Sequence, residues 1–469
     1  GLYDGGHGAG LKDYWDMMMA NPRCAGGFLW DLMDQGVVRT DKNNYVDCMG
    51  NFGADGIVGP HAEKEGSYYT IKEVWCPVQL TWNDVEKGEL TLSNQYNFVN
   101  LKDCRFSYRL LQMPAMGSTQ VKVLKQGNLS SPDVAPGKEA QVKIPMMANA
   151  DAVEIKAVNH EGEEIMTWSR GVKSEERRVK NSSAPSTSSA AYADQADAVE
   201  VKAGGRTYRF AKKDGRLMGV EVGSKAISLS NGPRFMAARR SDRSLDQFYN
   251  HDDKEAEKKK TLYTEFVDQG AFAGFEWKEA EAKLVATYQH GSLDEVDWQF
   301  LSDGSVAVTC HYNFGGVVDM MGMAFDYPES KVRSKAWVGN GPYRVWQNRE
   351  QGPQYGYWQN DYNDPIPAES WDYPEFKGYF ANVKWMQFKT DEGKIGFSGL
   401  TADEHMGVYT PRDGRDGLLY TLPQTGLAVF KVIPSVRNKV NTTDLNGPSA
   451  LPKWLNGKGK TVFTLNFEL

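Results

Sequence analysis

The sequence predicts a mainly β protein, and three observations carry that reading. From about residue 71 to the end, short runs of alternating apolar and polar residues recur, each bounded by Gly, Pro, Asn or Asp. Nearly all connections between these runs have the composition of turns, and convincing long helices are missing. Only residues 1–70 read differently, as one helix, one short apolar run and loops, too little to bury a core alone.

Size and composition bound the rest. A chain of 469 residues exceeds what one hydrophobic core usually serves, so two to four domains are expected. It is 40% hydrophobic and 25% charged, without an apolar run of bilayer-spanning length, so no membrane span is expected. The formal net charge of −7 supplies no basic face for nucleic acid. The 13 Trp, 22 Tyr and 20 Phe fit pleated sheets first, and ligand-stacking pockets second. Cys24, Cys48, Cys76, Cys104 and Cys310 are widely spaced, with no CxxC or Cys/His cluster, so neither a structural zinc nor a dense disulfide framework is expected. One pair could still be bridged. The chain starts at Gly1-Leu-Tyr-Asp-Gly-Gly-His7 without an initiator Met, basic n-region or apolar h-region, and so reads as an internal segment of a longer chain.

In order along the chain, Leu11 to Asn21 is read as a helix, with Leu11, Tyr14, Trp15 and Met18 on one stripe and Pro22 closing it. Gly26-Gly-Phe-Leu-Trp30 reads as a buried strand ending in the polar cluster Asp31, Asp34 and Gln35. Alternation over Thr91–Phe98, Arg105–Leu111, Val121–Leu124, Gln141–Ile144 and Ala152–Val158 predicts an immunoglobulin-like β-sandwich over residues 71–173. Residues 174–196, rich in Ser, Ala and charge, read as a linker. Residues 197–469 return to strands, at Ala198–Lys202, Arg206–Phe210, Trp298–Phe300, Val306–Tyr312, Gly378–Lys389 and Gly426–Ile433, and predict a large two-sheet antiparallel structure. The charge run Asp252 to Lys260 reads as a solvated loop or frayed helix.

Chemistry gathers at Trp30, Asp31, Asp34 and Gln35. At the carboxyl end of a barrel strand these residues would face an active-site mouth. Carboxylates and amides pair sugar hydroxyls, while an indole covers the C–H side of the ring. Taken alone, the cluster reads first as a turn in which Asp31 or Asp34 caps backbone amides.

The longer stretch shifts that reading. Gly10-Leu-Lys-Asp-Tyr-Trp-Asp16, Pro22-Arg-Cys-Ala-Gly-Gly-Phe-Leu-Trp-Asp-Leu-Met-Asp-Gln-Gly36, Phe52-Gly-Ala-Asp-Gly-Ile-Val58 and Tyr69-Thr-Ile-Lys-Glu-Val-Trp75 follow one another in this order. That order resembles the last part of the barrel in glycoside hydrolase family two, the β-galactosidases and β-glucuronidases. Further on, Trp337-Val-Gly-Asn-Gly-Pro-Tyr-Arg-Val-Trp346 and Gly378-Tyr-Phe-Ala-Asn-Val-Lys-Trp385 resemble elements of the large C-terminal β domain of the β-galactosidases. Pro233-Arg-Phe-Met-Ala-Ala-Arg-Arg-Ser-Asp242 keeps little of the family's early motif there.

The resemblance implies the end of a (β/α)8 barrel over 1–70, an immunoglobulin-like sandwich over 71–173, and a β-supersandwich over 197–469. It implies a retaining mechanism with two glutamates about 5–5.5 Å apart. Both would precede the region of Tyr3 to His7, so no catalytic residue is expected in this chain; Glu63, Glu65 and Glu73 read as loop and helix-face charges. It assigns substrate contact to Trp30 and Asp31, with Asp34 and Gln35 behind them. His7 is either a sugar contact or a loop histidine without a role. Phe52 and Asp55 match a loop that holds a monovalent cation through a carbonyl and a side-chain oxygen, a donor set suited to hard cations. No cofactor is required beyond a monovalent or divalent cation in the full-length enzyme. Expected partners are a carbohydrate substrate and the upstream part of the same chain, with a homo-oligomer allowed. The rival reading is a non-catalytic carbohydrate-binding or structural module, with glycan on aromatics such as Trp346, Trp358 or Trp371. Export or the periplasm is the expected location, the cytoplasm the alternative.

Overall fold

The computed structural model describes residues 8–47, 53, 56–64, 66–172, 189–240, 263–266, 270–362, 378–409, 423–435 and 447–469. Its architecture is mainly β, built from antiparallel sheets.

Residues 78–172 form a two-sheet sandwich. Val78–Asp84, Glu89–Asn94 and Glu139–Lys143 make one sheet, and Lys122–Leu129, Arg105–Gln112, Ala152–Val158 and Glu164–Gly171 the other. Alternation explains the burial: in Arg105–Gln112, Phe106, Tyr108 and Leu110 point inward while Arg105 and Arg109 stay outside. Those side chains pack with Leu90, Leu92, Ile155 and Trp168 in one core. Cys76 and Cys104 lie in that core as free thiols, and Cys24 and Cys310 are free as well; Cys48 lies outside the described residues. Burial pushes the Cys76 thiol up to about 11, so it behaves as a small apolar side chain.

The larger unit is two facing sheets. Among the described residues the first has nine strands. Its centre is the pair Val306–Val318 and Lys453–Glu468, in register from Val306↔Leu465 to Val318↔Lys453. The second has eleven strands and runs through Ser230–Arg240, Met320–Asp326 and Leu427–Val432. Between them Trp298, Trp337, Phe210, Phe325, Phe397 and Phe463 are wholly buried, with the Phe210 and Trp298 rings edge-on at 4.9 Å. Each such side chain contributes on the order of 2–3 kcal/mol by leaving water.

Three expectations are corrected. The residues 191–194 assigned to the linker form the strand Ala191–Asp194, which pairs with Ala198–Ala203 and extends the larger sheet. The helix Gly66–Val74 straddles the boundary expected at residue 71. Gly26 to Trp30 is neither a strand nor buried: Phe28 is fully exposed and Trp30 is 75% exposed. A strand needs a neighbour to take its N–H and C=O groups, and no described segment pairs with this one. The charge run 252–260 lies outside the described residues.

Met320–Asp326 shows what positions the N-terminal segment. Its side chains are buried on both faces, because Met321, Met323 and Phe325 enter the inter-sheet core while Met320 and Ala324 enter a second, outer cluster. Val345, Trp346, Tyr379, Phe430 and Ile433 complete that outer cluster, and Ala9 packs against it. Ala9, just ahead of the first helix, therefore sits on the outer face of the larger sheet.

Candidate functional site

The helix Leu11–Ala20 is only half-sheltered; none of its residues is buried. It is held at its start by polar ties. Gly10 donates its N–H to the Asn348 carbonyl at 2.8 Å, and Asp13 accepts from the Ser449 amide at 2.9 Å and hydroxyl at 2.6 Å. Trp15 lies 5.5 Å from Trp75, so this helix also meets the end of the helix Gly66–Val74. That second helix is fixed to the larger unit. Thr70 Oγ1 donates to the Gln351 carbonyl at 3.0 Å, and the Glu73 carboxylate accepts from the Gly352 N–H at 2.7 Å. Burial holds the Glu73 carboxyl above the ordinary range despite those bonds. Glu73 is therefore an anchor, not the helix-face charge its isolation in sequence suggested.

Between the two helices the polar cluster is stitched to the glycine-rich segment that follows it. Asp34 donates its N–H to the Val58 carbonyl at 3.0 Å, Val58 donates to Leu32, and Ile57 donates to the Asp31 carbonyl at 3.0 Å. The Asp34 side chain is buried, and its Oδ1 accepts from the Gly56 N–H at 2.8 Å. A Cβ on Gly56 would stand 2.3 Å from the Asp34 nitrogen, so only glycine fits there. Gln35 Nε2 donates to Asp31 Oδ2 at 3.2 Å, while Asp31 Oδ1 is buried without a hydrogen-bond partner.

Trp30, Asp31, Asp34 and Gln35 thus stand within one short segment bridged to Val58, with Gln35 bonded to Asp31 and the Trp30 indole open to solvent. His7, Phe52 and Asp55 lie outside the described residues. Trp346 is buried in the outer cluster and so cannot stack on a glycan, Trp358 is half-buried with its indole N–H given to the Gly339 carbonyl at 3.1 Å, and Trp371 is outside the described residues.

A cleft of about 530 Å³ opens where the small sandwich meets the larger unit, lined by Trp82, Trp168, Arg170, Tyr355, Asn382 and Lys384. Ser169 Oγ donates to the Tyr355 carbonyl at 2.6 Å in its wall, and elsewhere in the same junction the Trp385 indole donates to the Pro114 carbonyl at 2.9 Å. No local pattern announces this cleft, because its walls come from segments far apart in the chain, around Trp82, Trp168, Tyr355 and Lys384.

Comparison with known proteins agrees along the chain. Residues 202–429 match the family described as β-galactosidase small chain, and residues 90–168 match β-galactosidase domain 4. The β-galactosidase of Oenococcus oeni is 19% identical over 491 aligned residues, covering 95% of this chain and 46% of its own length. That of Pectobacterium atrosepticum is 30% identical over 100 residues, 19% of this chain and 10% of its own. The chain thus spans about half the length of the first relative. Among solved structures, the exo-chitosanase of Amycolatopsis orientalis is 10% identical, covering 72% of this chain and 28% of its own, at a TM-score of 0.19.

Proposed function

The chain belongs to the β-galactosidase type, with glycoside hydrolase family two implied, and from that premise we propose that it is the non-catalytic C-terminal part of a retaining exo-β-glycosidase. In this reading it supplies one wall of the sugar pocket, through Trp30 and Asp31, and a rigid base under it. The two catalytic glutamates belong to the upstream part of the protein. The parent cleaves terminal β-linked sugars, galactose first among them.

The observation that carries this reading is the exposed apolar side chains between Met17 and Val38. Met17, Phe28, Trp30, Leu32, Val37 and Val38 are each more than half exposed, on a segment that hydrogen bonds to Asn348 and Ser449 nevertheless tie to the larger unit. Exposed large apolar side chains gathered on one short segment suit a surface that another element covers. The rest of a barrel is the occupant proposed; a second copy of the chain is the alternative.

The test is a chromogenic β-galactoside assay on the purified chain, alone and mixed with the separately produced upstream part. No turnover alone and turnover on mixing is expected. Turnover by the chain alone after stringent purification would overturn the proposal. A dimer in sedimentation, with no gain on mixing, would favour the second copy.

A second reading has one observation behind it, the cleft beside Trp82, Trp168 and Tyr355, whose volume and mixed aromatic and polar lining suit a sugar. Saturable galactose binding, lost in Trp82→Ala, would support a carbohydrate-binding role for that junction.

A further inference from the structure

A second group of residues with binding chemistry lies far along the chain, on the nine-stranded sheet, and none of it takes part in the polar cluster near the N-terminus. In Leu293–Phe300, the residues Leu293, Val296, Trp298 and Phe300 face the core, which turns Glu295 and Asp297 to the outer face together. On the neighbouring strand Val306–Val318, His311 stands directly opposite Glu295 in the register and shares that face. One carboxylate oxygen from each acid and one imidazole nitrogen all lie within 4.8 Å of one another. All three side chains are half-sheltered, not spread into solvent.

We propose that Glu295, Asp297 and His311 form a binding site for one divalent transition-metal ion of the Zn²⁺ type. Donor chemistry selects this class: imidazole with carboxylates suits zinc and its neighbours, whereas calcium and magnesium prefer an all-oxygen shell. Donors about 2.0–2.2 Å from one zinc ion stand roughly 3–4 Å apart. Small side-chain rotations close the observed spacing to that. Two strands supply the ligands, so their positions are set by a β-ladder and not by a loop. The partly open face leaves room for water to complete the shell.

A second observation points the same way. Asp297 Oδ1 is buried and has no hydrogen-bond partner, although its carboxylate stands beside a second one. Lys283 reaches only the other oxygen, at 3.6 Å, and is held more closely by Glu281 at 2.8 Å. A cation among the three ligands neutralises the two adjacent acids. Bound there, the ion ties two adjacent strands of the larger sheet and stabilises the folded state by mass action.

Titration of the full chain with ZnCl₂ in a non-chelating buffer, read by calorimetry and by the melting temperature, tests the site. One saturable site and a rise in melting temperature are expected. His311→Gln and Asp297→Asn should each weaken binding at least about tenfold, no less than loss of an outer-shell partner costs. His290→Gln, a histidine outside the group, should leave it unchanged. Should His311→Gln fail to fold, Glu295→Gln replaces it. Absence of saturable binding in the unaltered chain, or full binding by a folded His311→Gln or Glu295→Gln variant, overturns the proposal.

Discussion

The Asp34 carboxylate accepts the Gly56 N–H at 2.8 Å across 22 residues of sequence, and with the backbone bonds of Asp34, Ile57 and Val58 it joins the polar cluster to the glycine-rich segment. Gly56→Ala would push a methyl to 2.3 Å from the Asp34 nitrogen and 2.4 Å from the Val58 carbonyl. Residues 31–58 should open while the β cores stay folded, since no core side chain is touched. Hydrogen exchange should show faster exchange at Asp34, Ile57 and Val58, with the main melting transition shifted by less than about 1 kcal/mol. Asp34→Ala should act in the same direction, leaving the Gly56 donor unpaired at about 1–3 kcal/mol of local stability.

Glu392 joins the two large sheets and should govern their acid stability. Burial alone would raise its carboxyl, but Lys331, the Ser228 hydroxyl at 2.7 Å, the Ser228 amide at 2.9 Å and the Tyr327 hydroxyl at 2.9 Å outweigh it. The folded carboxyl is thereby held down at about 2. The contribution is present above the ordinary carboxylate range and is lost as pH falls from about 4.5 toward 2. Denaturant titrations across that window should show roughly 2–3 kcal/mol of stability disappearing in the native chain. Glu392→Gln should flatten this dependence and lower stability at pH 7 by a similar amount.

These residues also show what the sequence alone could disclose. Ala152–Val158 and Arg105–Gln112 were readable because a sheet with one buried face writes its period into the chain. Gly26–Trp30 misled because apolar content reports a tendency to be buried and says nothing of whether a partner strand is at hand. Trp30, Asp31, Asp34 and Gln35 are neighbours in sequence, so their grouping was legible. Glu73 with Gly352, or Glu295 with His311, meet only through the fold, and no local pattern announces either pair.

His405 should add a second acid-sensitive element. Burial, only partly offset by the Asp403 charge and a hydrogen bond with the Phe430 backbone, pushes its imidazole down to about 4, and its Nδ1 has no partner. The folded protein resists protonation that the unfolded chain accepts near 6.5, so stability falls as pH drops from about 6.5 toward 4. The loss should reach at most about 3 kcal/mol, less to the extent that solvent reaches the ring edge. His405→Leu should remove the slope between pH 6.5 and 4.5 while leaving the steeper loss below 4.5 that Glu392 controls.

The junction of the small sandwich with the larger unit should decide whether the chain unfolds in one step. The Trp385 indole donates to the Pro114 carbonyl at 2.9 Å while its ring packs with Leu111, Met113 and Val338. Beside it, Lys384 faces Asp151 at 3.4 Å, and Asp151 accepts the Met113 N–H at 3.0 Å. Trp385→Phe keeps most of the apolar contact and removes the indole donor, so it should cost about 1–3 kcal/mol by leaving the carbonyl unpaired. Trp385→Ala also opens a cavity at the seam, with a cost of about 3–5 kcal/mol. Each unit has its own core, so the larger loss should fall on the junction. Calorimetry should then show the single transition of the native chain splitting into two in Trp385→Ala and staying single in Trp385→Phe. A single, uniformly shifted transition in both variants would mean that other contacts, such as Ser169 with Tyr355, suffice to couple the units.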